Sequence, residues 1–242
     1  GEVRIRRSSR PQSAGGTRLM CGRSWSCVCD TPAMVMSEAN GTALVIEGLA
    51  NARDLGGLLR DDGTRTPRGV FVRAEQLSHV TPDGWDAIRR HGVQTVIDLR
   101  RPAERTGEVP RDVTRIDVDL DGDEPEFWAP YEADGRWGTP LYYGAHLREL
   151  PAQMVTVLAA ITDAAPGGVL FHCGAGWDRT GLVAAVLLRA GGVTRDAATA
   201  DYLQSYTNAV AMERISGHPA HAAQRMTVLE RHGHTPASAF DS

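Results

Sequence analysis

The sequence predicts an α/β fold, a central and mostly parallel sheet flanked by helices. Three observations carry that expectation. Short apolar runs of strand length alternate with helical patterns from about residue 43 to 233. One run, residues 168–171, is apolar along its length, as a strand covered on both faces must be. The stretch after it, residues 180–188, is apolar on nearly every side, which marks a buried helix.

The elements follow in order. Residues 1–40 are rich in Arg, Ser, Gly and Pro and have no period, so they are expected to be a disordered extension or upstream sequence. Met34 and Met36 stand just before the patterned part, where the natural start is expected. Residues 41–242 are assigned to one domain. Strands are expected at 42–47, 58–60 and 70–73, with Asp62-Gly63 as a turn. Thr81-Pro82 caps and opens a helix that turns Trp85 and Ile88 inward and stops before Gly92. Residues 95–97 and 113–118 read as strands. Leu147, Leu150, Met154, Leu158 and Ile161 recur at helical spacing, and Pro151 either kinks that helix or begins its second half. Two more helices are expected near 195–210 and 219–231.

Residues 119–143 break this rhythm. They hold seven carboxylates and six of the chain's aromatics, including Trp128, Tyr131 and Trp137. A long loop in a small domain is either a lid or a packed insert. The lid is the expectation, with those three aromatics as walls around a substrate.

Composition removes several function classes. A net charge of −4 gives no reason to expect nucleic acid as a partner. All 26 cationic side chains are arginine, so an anion must be held by arginine, histidine or a helix terminus. Cys21, Cys27 and Cys29 lie in the extension and only Cys173 in the domain, which suits neither a disulfide framework nor a zinc site. No metal and no cofactor are expected. No apolar run reaches the length of a membrane span, and the start around Arg6-Arg7 lacks the apolar stretch of an export signal. A cytoplasmic location is expected; the oligomeric state is open.

The chemistry concentrates in His172-Cys173-Gly174-Ala175-Gly176-Trp177-Asp178-Arg179-Thr180. A buried strand ends, a cysteine follows, five residues turn, and an arginine opens a helix. N–H groups at a helix start lack internal partners, and the helix dipole favours negative charge there. A loop wrapped around that end makes an anion cradle. Gly174 and Gly176 allow close backbone approach. Cys173 sits where the field favours a thiolate. Arg179 offers a planar fork for two phosphate oxygens. His172 is expected to orient the loop, and Thr180 to hydrogen-bond the sulfur. The pattern implies attack of the thiolate on phosphorus, with phosphate bound along Gly174, Ala175, Gly176, Trp177, Asp178 and Arg179.

These residues resemble the protein tyrosine phosphatase superfamily: Cys, five residues, Arg, then Ser or Thr. The resemblance is closer to the bacterial tyrosine/serine phosphatases of dual-specificity type, and it extends over roughly residues 44–232. Asn51-Ala52-Arg53-Asp54-Leu55-Gly56-Gly57, Gly69-Val70-Phe71-Val72-Arg73-Ala74, Val96-Ile97-Asp98-Leu99-Arg100 and Ala200-Asp201-Tyr202-Leu203 are similar to that group's other motifs. The resemblance implies a cysteinyl-phosphate mechanism without metal. It makes Asp178 the first candidate for general acid, Asp98 the second and the acidic segment the third; Asp178 is also a candidate to hold Arg179. Arg53, Asp54 and Arg100 are expected either to form an ion-pair network lining the site or to pair for structure.

One position departs. The family usually has Lys before the Asp, and here Trp177 stands there. The Gly-Trp-Asp-Arg-Thr run is similar to the myotubularins, which act on phosphoinositides. The expected substrate is a phosphotyrosine protein, with a phosphorylated small molecule or lipid headgroup as the alternative. Trp177 either stacks on a substrate ring or packs under the loop. The first option predicts that Trp177→Lys shifts preference toward highly charged headgroups. Two other classes compete: a phosphate-binding pseudoenzyme, and a sulfurtransferase of rhodanese type.

Overall fold

A five-stranded sheet forms the middle of the protein in a computed structural model that describes residues 42–242. The expected extension over residues 1–40 lies outside the described residues. The strands are β1 (Arg53–Asp54), β2 (Phe71–Ala74), β3 (Val93–Asp98), β4 (Thr114–Asp117) and β5 (Gly168–His172). Their order is β1-β2-β5-β3-β4. Only β1 runs antiparallel to its neighbour; the other pairings are parallel. β5 is thus central, and both of its faces need cover. Val169 and Phe171 enter one apolar cluster and Leu170 the opposite one, the alternation a strand imposes.

Helices close both faces. Helix α1 (Pro82–Arg90) begins at Thr81, whose side chain accepts the Gly84 N–H. Its Trp85 and Ile88 pack with Val72, Val96 and Leu170. Helices α2 (Pro125–Asp134), α3 (Tyr143–Glu149), α4 (Pro151–Thr162) and α5 (Asp178–Ala190) follow, then α6 (Arg195–Ser216), α7 (Ala222–Arg231) and α8 (Pro236–Phe240). Pro151 separates α3 from α4 and opens the latter, where a missing N–H costs nothing. Leu182, Val183 and Leu188 of α5 join Phe171 and Ile97 in the larger cluster. Each such fully buried side chain contributes about 1.5–3 kcal/mol, which pins the start of α5 against the end of β5.

Four expectations need correction. Residues 42–47 form no strand beyond one bridge, Ala43 to Arg53. Residues 58–60 make only single bridges, to Arg65 and Val193. The pattern does not stop near residue 233, because α8 continues it and stacks Phe240 on Tyr202 with centroids 4.6 Å apart. Residues 119–143 are a packed insert and not an open lid. Trp128 of α2 and Tyr142 are buried in the main cluster, and the Trp128 indole donates to the Asp121 carbonyl at 3.0 Å. Phe127, Trp128, Tyr131 and Tyr142 meet largely edge to face, the arrangement aromatic quadrupoles favour.

Candidate active site

The loop between β5 and α5 is the site's foundation, and its conformation is imposed from outside. Its carbonyls are all engaged. The His172 ring donates from Nδ1 to the Cys173 carbonyl at 3.1 Å. The Gln76 N–H donates to the Gly174 carbonyl at 2.9 Å. Asn51 Nδ2 reaches the Ala175 and Gly176 carbonyls at 3.1 and 3.3 Å. Arg73 Nη2 reaches those of Gly176 and Trp177 at 3.0 and 3.4 Å. A trans peptide sets C=O and N–H on opposite sides. Tying the carbonyls of 173–177 to these donors therefore turns the N–H groups of 174–178 away from them. Gly176 is required for the turn: its φ is +64°, and a Cβ there would lie 2.3 Å from the Ala74 carbonyl oxygen. A Cβ on Gly174 would meet nothing within 4 Å beyond its chain neighbours, so the loop is open on that side.

Asn51 and Arg73 are themselves braced. Asp201 of α6 pairs with Arg53 at 2.7 Å and Arg73 at 2.6 Å, all buried. Burial disfavours the charge on Asp201, but the two arginines hold its carboxyl below the usual range. Arg53 also donates to Asn51 Oδ1 at 2.7 Å. Glu75 accepts the N–H groups of Ala50 and Asn51 at 2.5 and 3.0 Å. Removing one partner of such a buried pair costs about 3–5 kcal/mol, so the loop rests on a stiff support.

Cys173, at 3% exposure, lines a cavity of about 200 Å³ together with Asp178, Arg179, Trp137 and Tyr142. Arg179 is held by two carboxylates. Its Nη2 lies 2.6 Å from Glu104 Oε2, and its Nη1 lies 3.2 Å from Glu104 Oε1 and 3.3 Å from Asp121 Oδ2. Burial opposes the guanidinium charge, yet Cys173, Asp121 and Glu104 raise its pKa above the ordinary arginine value. Burial raises the Asp121 carboxyl, against the pull of Arg179 and Arg101. Asp121 thus brings one group from the acidic segment to the clamp.

The candidate acids separate. Asp178 is in the cavity; it does not hold Arg179 but pairs with Arg225 of α7 at 2.5 Å. Burial raises its carboxyl above the usual range, with Arg225 and Arg179 opposing. Asp98 is not in the cavity. It takes Arg100 at 2.8 and 2.7 Å and Arg115 at 3.0 Å, with His172 Nε2 at 3.9 Å. Burial works against its charge, but Arg100 and His172 prevail and hold the carboxyl below the usual range. Burial also lowers the His172 pKa, with Asp98 opposing, and among the described residues the ring's one hydrogen bond is to the Cys173 carbonyl.

Arg53, Asp54 and Arg100 form no common network lining the site. Arg53 goes to Asp201 and Arg100 to Asp98, while Asp54 goes to His91 and the N–H groups of Gly56 and Gly69. The Thr180 hydroxyl is buried without a hydrogen-bond partner, so it does not bond the sulfur here. The indole of Trp177 is fully buried. It packs edge to face with Tyr206 at 4.5 Å and lies beneath the Arg225 guanidinium, 4.7 Å from ring centroid to carbon. It offers no face to a substrate, and the expected headgroup shift on Trp177→Lys is withdrawn. That substitution instead removes a core aromatic, worth about 3–5 kcal/mol when truncated, and sets an ammonium against Arg225. The expected result is a melting midpoint lower by several degrees, read by circular dichroism. An unchanged midpoint would mean the indole is not packed as described. Of the three proposed aromatic walls, Trp128 and Tyr131 face the core, and only Trp137 reaches the cavity, 43% exposed.

Sequence reasoning missed Asn51, Arg73, Glu104, Asp121, Asp201 and Arg225 as contributors to the site. Asn51, Arg73, Glu104 and Asp201 lie inside or beside the family-like runs, which was the available signal; Arg225 had none.

Comparison with known proteins places these features. Residues 44–241 match the model of a family described as the tyrosine phosphatase family. A protein of Cupriavidus necator named as a tyrosine-protein phosphatase is 30% identical over 195 residues, 72% of this chain and 68% of its own length. The triple specificity protein phosphatase PtpB of Mycobacterium tuberculosis is 33% identical over 196 residues, 66% of this chain and 68% of its own. A tyrosine-protein phosphatase of Nostoc commune is 30% identical over 168 residues, 67% of this chain and 55% of its own.

Proposed function

The chain belongs to the tyrosine phosphatase family, and from that premise we propose that it hydrolyses phosphotyrosine through a phosphorylated Cys173. The observation that carries the assignment of residues is the cavity shared by Cys173, Arg179 and Asp178 at the start of α5. Phosphate sits on the N–H groups of residues 174–179, in the field of the helix start. The Cys173 thiolate attacks phosphorus in line, and the bond from phosphorus to the tyrosyl oxygen breaks. Arg179 binds two of the equatorial oxygens and stabilises the charge that develops on them. Asp178, protonated, gives its proton to the leaving oxygen; as a carboxylate it then takes a proton from the water that attacks the phosphocysteine. The S–P bond breaks, and phosphate, thiolate and protonated Asp178 are returned.

Asp178 is preferred over Asp98 because it lines the cavity, whereas both Asp98 oxygens are occupied by arginine. The reading treats residues 41–242 as one catalytic domain and requires a reducing compartment such as the cytoplasm, since Cys173 must remain a free thiol. Among the described residues no helix is long and apolar enough to cross a membrane.

The phosphoinositide alternative rests on the myotubularin-like Gly-Trp-Asp-Arg-Thr run. With Trp177 buried, that likeness brings no binding face, and phosphotyrosine is the better-supported substrate. The name of the mycobacterial relative, a triple specificity phosphatase, is reason to measure both. The experiment compares kcat/KM for a phosphotyrosine peptide, a phosphoserine peptide and mono-, bis- and tris-phosphorylated phosphoinositides, with and without EDTA. The expected order puts phosphotyrosine first, with no loss in EDTA and loss under mild peroxide. A tenfold preference for a phosphoinositide, about 1.4 kcal/mol, overturns the substrate. Binding without turnover points to the pseudoenzyme, and sulfur transfer from thiosulfate to cyanide points to the rhodanese type.

A further inference from the structure

Helix α7 returns a cation to the place where the loop has lost one. The chain contains no lysine, and Trp177 stands before Asp178. Arg225 lies over that indole, lines the cavity with Cys173 and Arg179, and reaches Asp178. Its Nη1 donates to Asp178 Oδ2 at 2.5 Å and to the Gly138 carbonyl. Both side chains are largely buried, 16% and 14% exposed. The Tyr143 hydroxyl donates to the Asp178 carbonyl at 2.8 Å and fixes the backbone beneath. Asp178 Oδ1 is buried and has no hydrogen-bond partner.

We propose that Arg225 is a positioning residue: it holds Asp178 by Oδ2 alone and so reserves Oδ1 to carry the proton exchanged with the leaving oxygen and with water. The proposal rests on the reading of Asp178 as general acid. A carboxylate with neither oxygen engaged rotates about its terminal bond, and one gripped on both oxygens, like Asp98, has no site for a proton. One engaged oxygen fixes the plane and leaves Oδ1 with no competing donor. The guanidinium is suited to this because it is held twice more, over the Trp177 ring and at the Gly138 carbonyl. In the first step the Oδ1 proton goes to the tyrosyl oxygen as the P–O bond breaks. In the second Oδ1 recovers a proton from water as the S–P bond breaks.

The charged and titratable groups around Asp178 are Arg225 from α7, Arg179 beside it on α5, and Arg73 from β2. Tyr142 and Tyr143 face it from the start of α3, and Tyr202 and Tyr206 from α6. Cys173 shares the cavity. Burial raises the Asp178 carboxyl and Arg225 opposes that rise. Without Arg225 the proton stays on to higher pH, so the alkaline limb of kcat/KM, which reports loss of the acid in the free enzyme, moves up.

The test measures Arg225→Gln, Arg225→Lys and Asp178→Asn against the unsubstituted enzyme. Substrates are a phosphotyrosine peptide and aryl phosphates whose phenols span weak to strong acids. For Arg225→Gln, kcat/KM on the peptide, which reports the step that expels the phenol, is expected to fall by about tenfold or more, a part of the hundredfold to ten-thousandfold that a general acid supplies. The fall should disappear for the most acidic phenols, which need no proton, and the alkaline limb should shift upward. Arg225→Lys keeps the charge and loses the fork, so its limb should stay in place while its dependence on the phenol steepens. A merely structural arginine would lower the rate equally for every phenol and leave the limb where it was. Unaltered phenol dependence in both Arg225 variants overturns the proposal, and Arg225→Lys decides it if Arg225→Gln does not fold. If Asp178→Asn also leaves the phenol dependence unaltered, the assignment of the acid fails. If Asp178→Asn steepens it and the Arg225 variants do not, the acid stands and only the positioning role is lost.

Discussion

Replacing Cys173 by serine is expected to abolish turnover while leaving phosphotyrosine binding and the fold intact. The two side chains differ by one atom, and the site at the end of β5 is buried and braced on every side, so little else changes. The hydroxyl, however, does not ionise near neutral pH, and no other nucleophile of comparable strength lines the cavity. Turnover of a phosphotyrosine peptide should fall below detection, and calorimetry should return a dissociation constant within a few-fold of that of the unsubstituted protein, or tighter. Residual hydrolysis above the uncatalysed rate would mean that water attacks phosphorus directly and that Cys173 is only part of the cradle.

Arg179→Lys carries the second-largest expected effect. A lysine keeps the positive charge but is a point donor where the transferring phosphoryl group presents two oxygens in a plane. Loss of one preorganised donor to a developing charge costs on the order of a hundredfold to a thousandfold in kcat, about 2.7–4 kcal/mol. Here a further penalty adds to it. Glu104 and Asp121 now hold a guanidinium in three contacts, and an ammonium, with a shorter reach and no fork, leaves part of that carboxylate pair unanswered. The fall should appear in kcat and kcat/KM together, because the interaction strengthens in the transition state. A rate within tenfold of the unsubstituted enzyme would show that Arg179 stays with its two carboxylates and never turns to phosphate.

The central strand, the loop and the helix after it were legible because each is local. An unbroken apolar run, two glycines in five residues and an apolar helix are all contained in residues 168–190. What props the loop was less legible, since it comes from β1, β2 and α6 and meets only in three dimensions. Asn51, Arg73 and Asp201 were visible as members of family-like runs, yet nothing in those runs says that they tie down carbonyls. Arg225 illustrates the limit more sharply. It lies 47 positions from its partner Asp178 in an ordinary amphipathic helix, and its role depends on Trp177 being buried below it.

The acidic, aromatic segment was misread for a different reason. Its helix α2 carries the usual punctuation, Pro125 at the first position and Gly135 in the left-handed conformation at the end. Pro130 inside it works against a helix, since an interior proline costs roughly 3 kcal/mol or more. The burial of Trp128 and its neighbours offsets that cost, and composition alone does not say toward which side aromatics turn. The same ambiguity covered Trp177, whose neighbours Tyr206 and Arg225 settle it.

The most direct test of the covalent account is chemical trapping. Enzyme turning over a phosphotyrosine peptide labelled in its phosphate is quenched in acid within milliseconds, digested and mapped by mass spectrometry. The account predicts label on the peptide that carries Cys173, at a level that rises and falls with turnover, and none in Cys173→Ser. Phosphate released at full rate with no label on that peptide, or with label on a different residue, would contradict it.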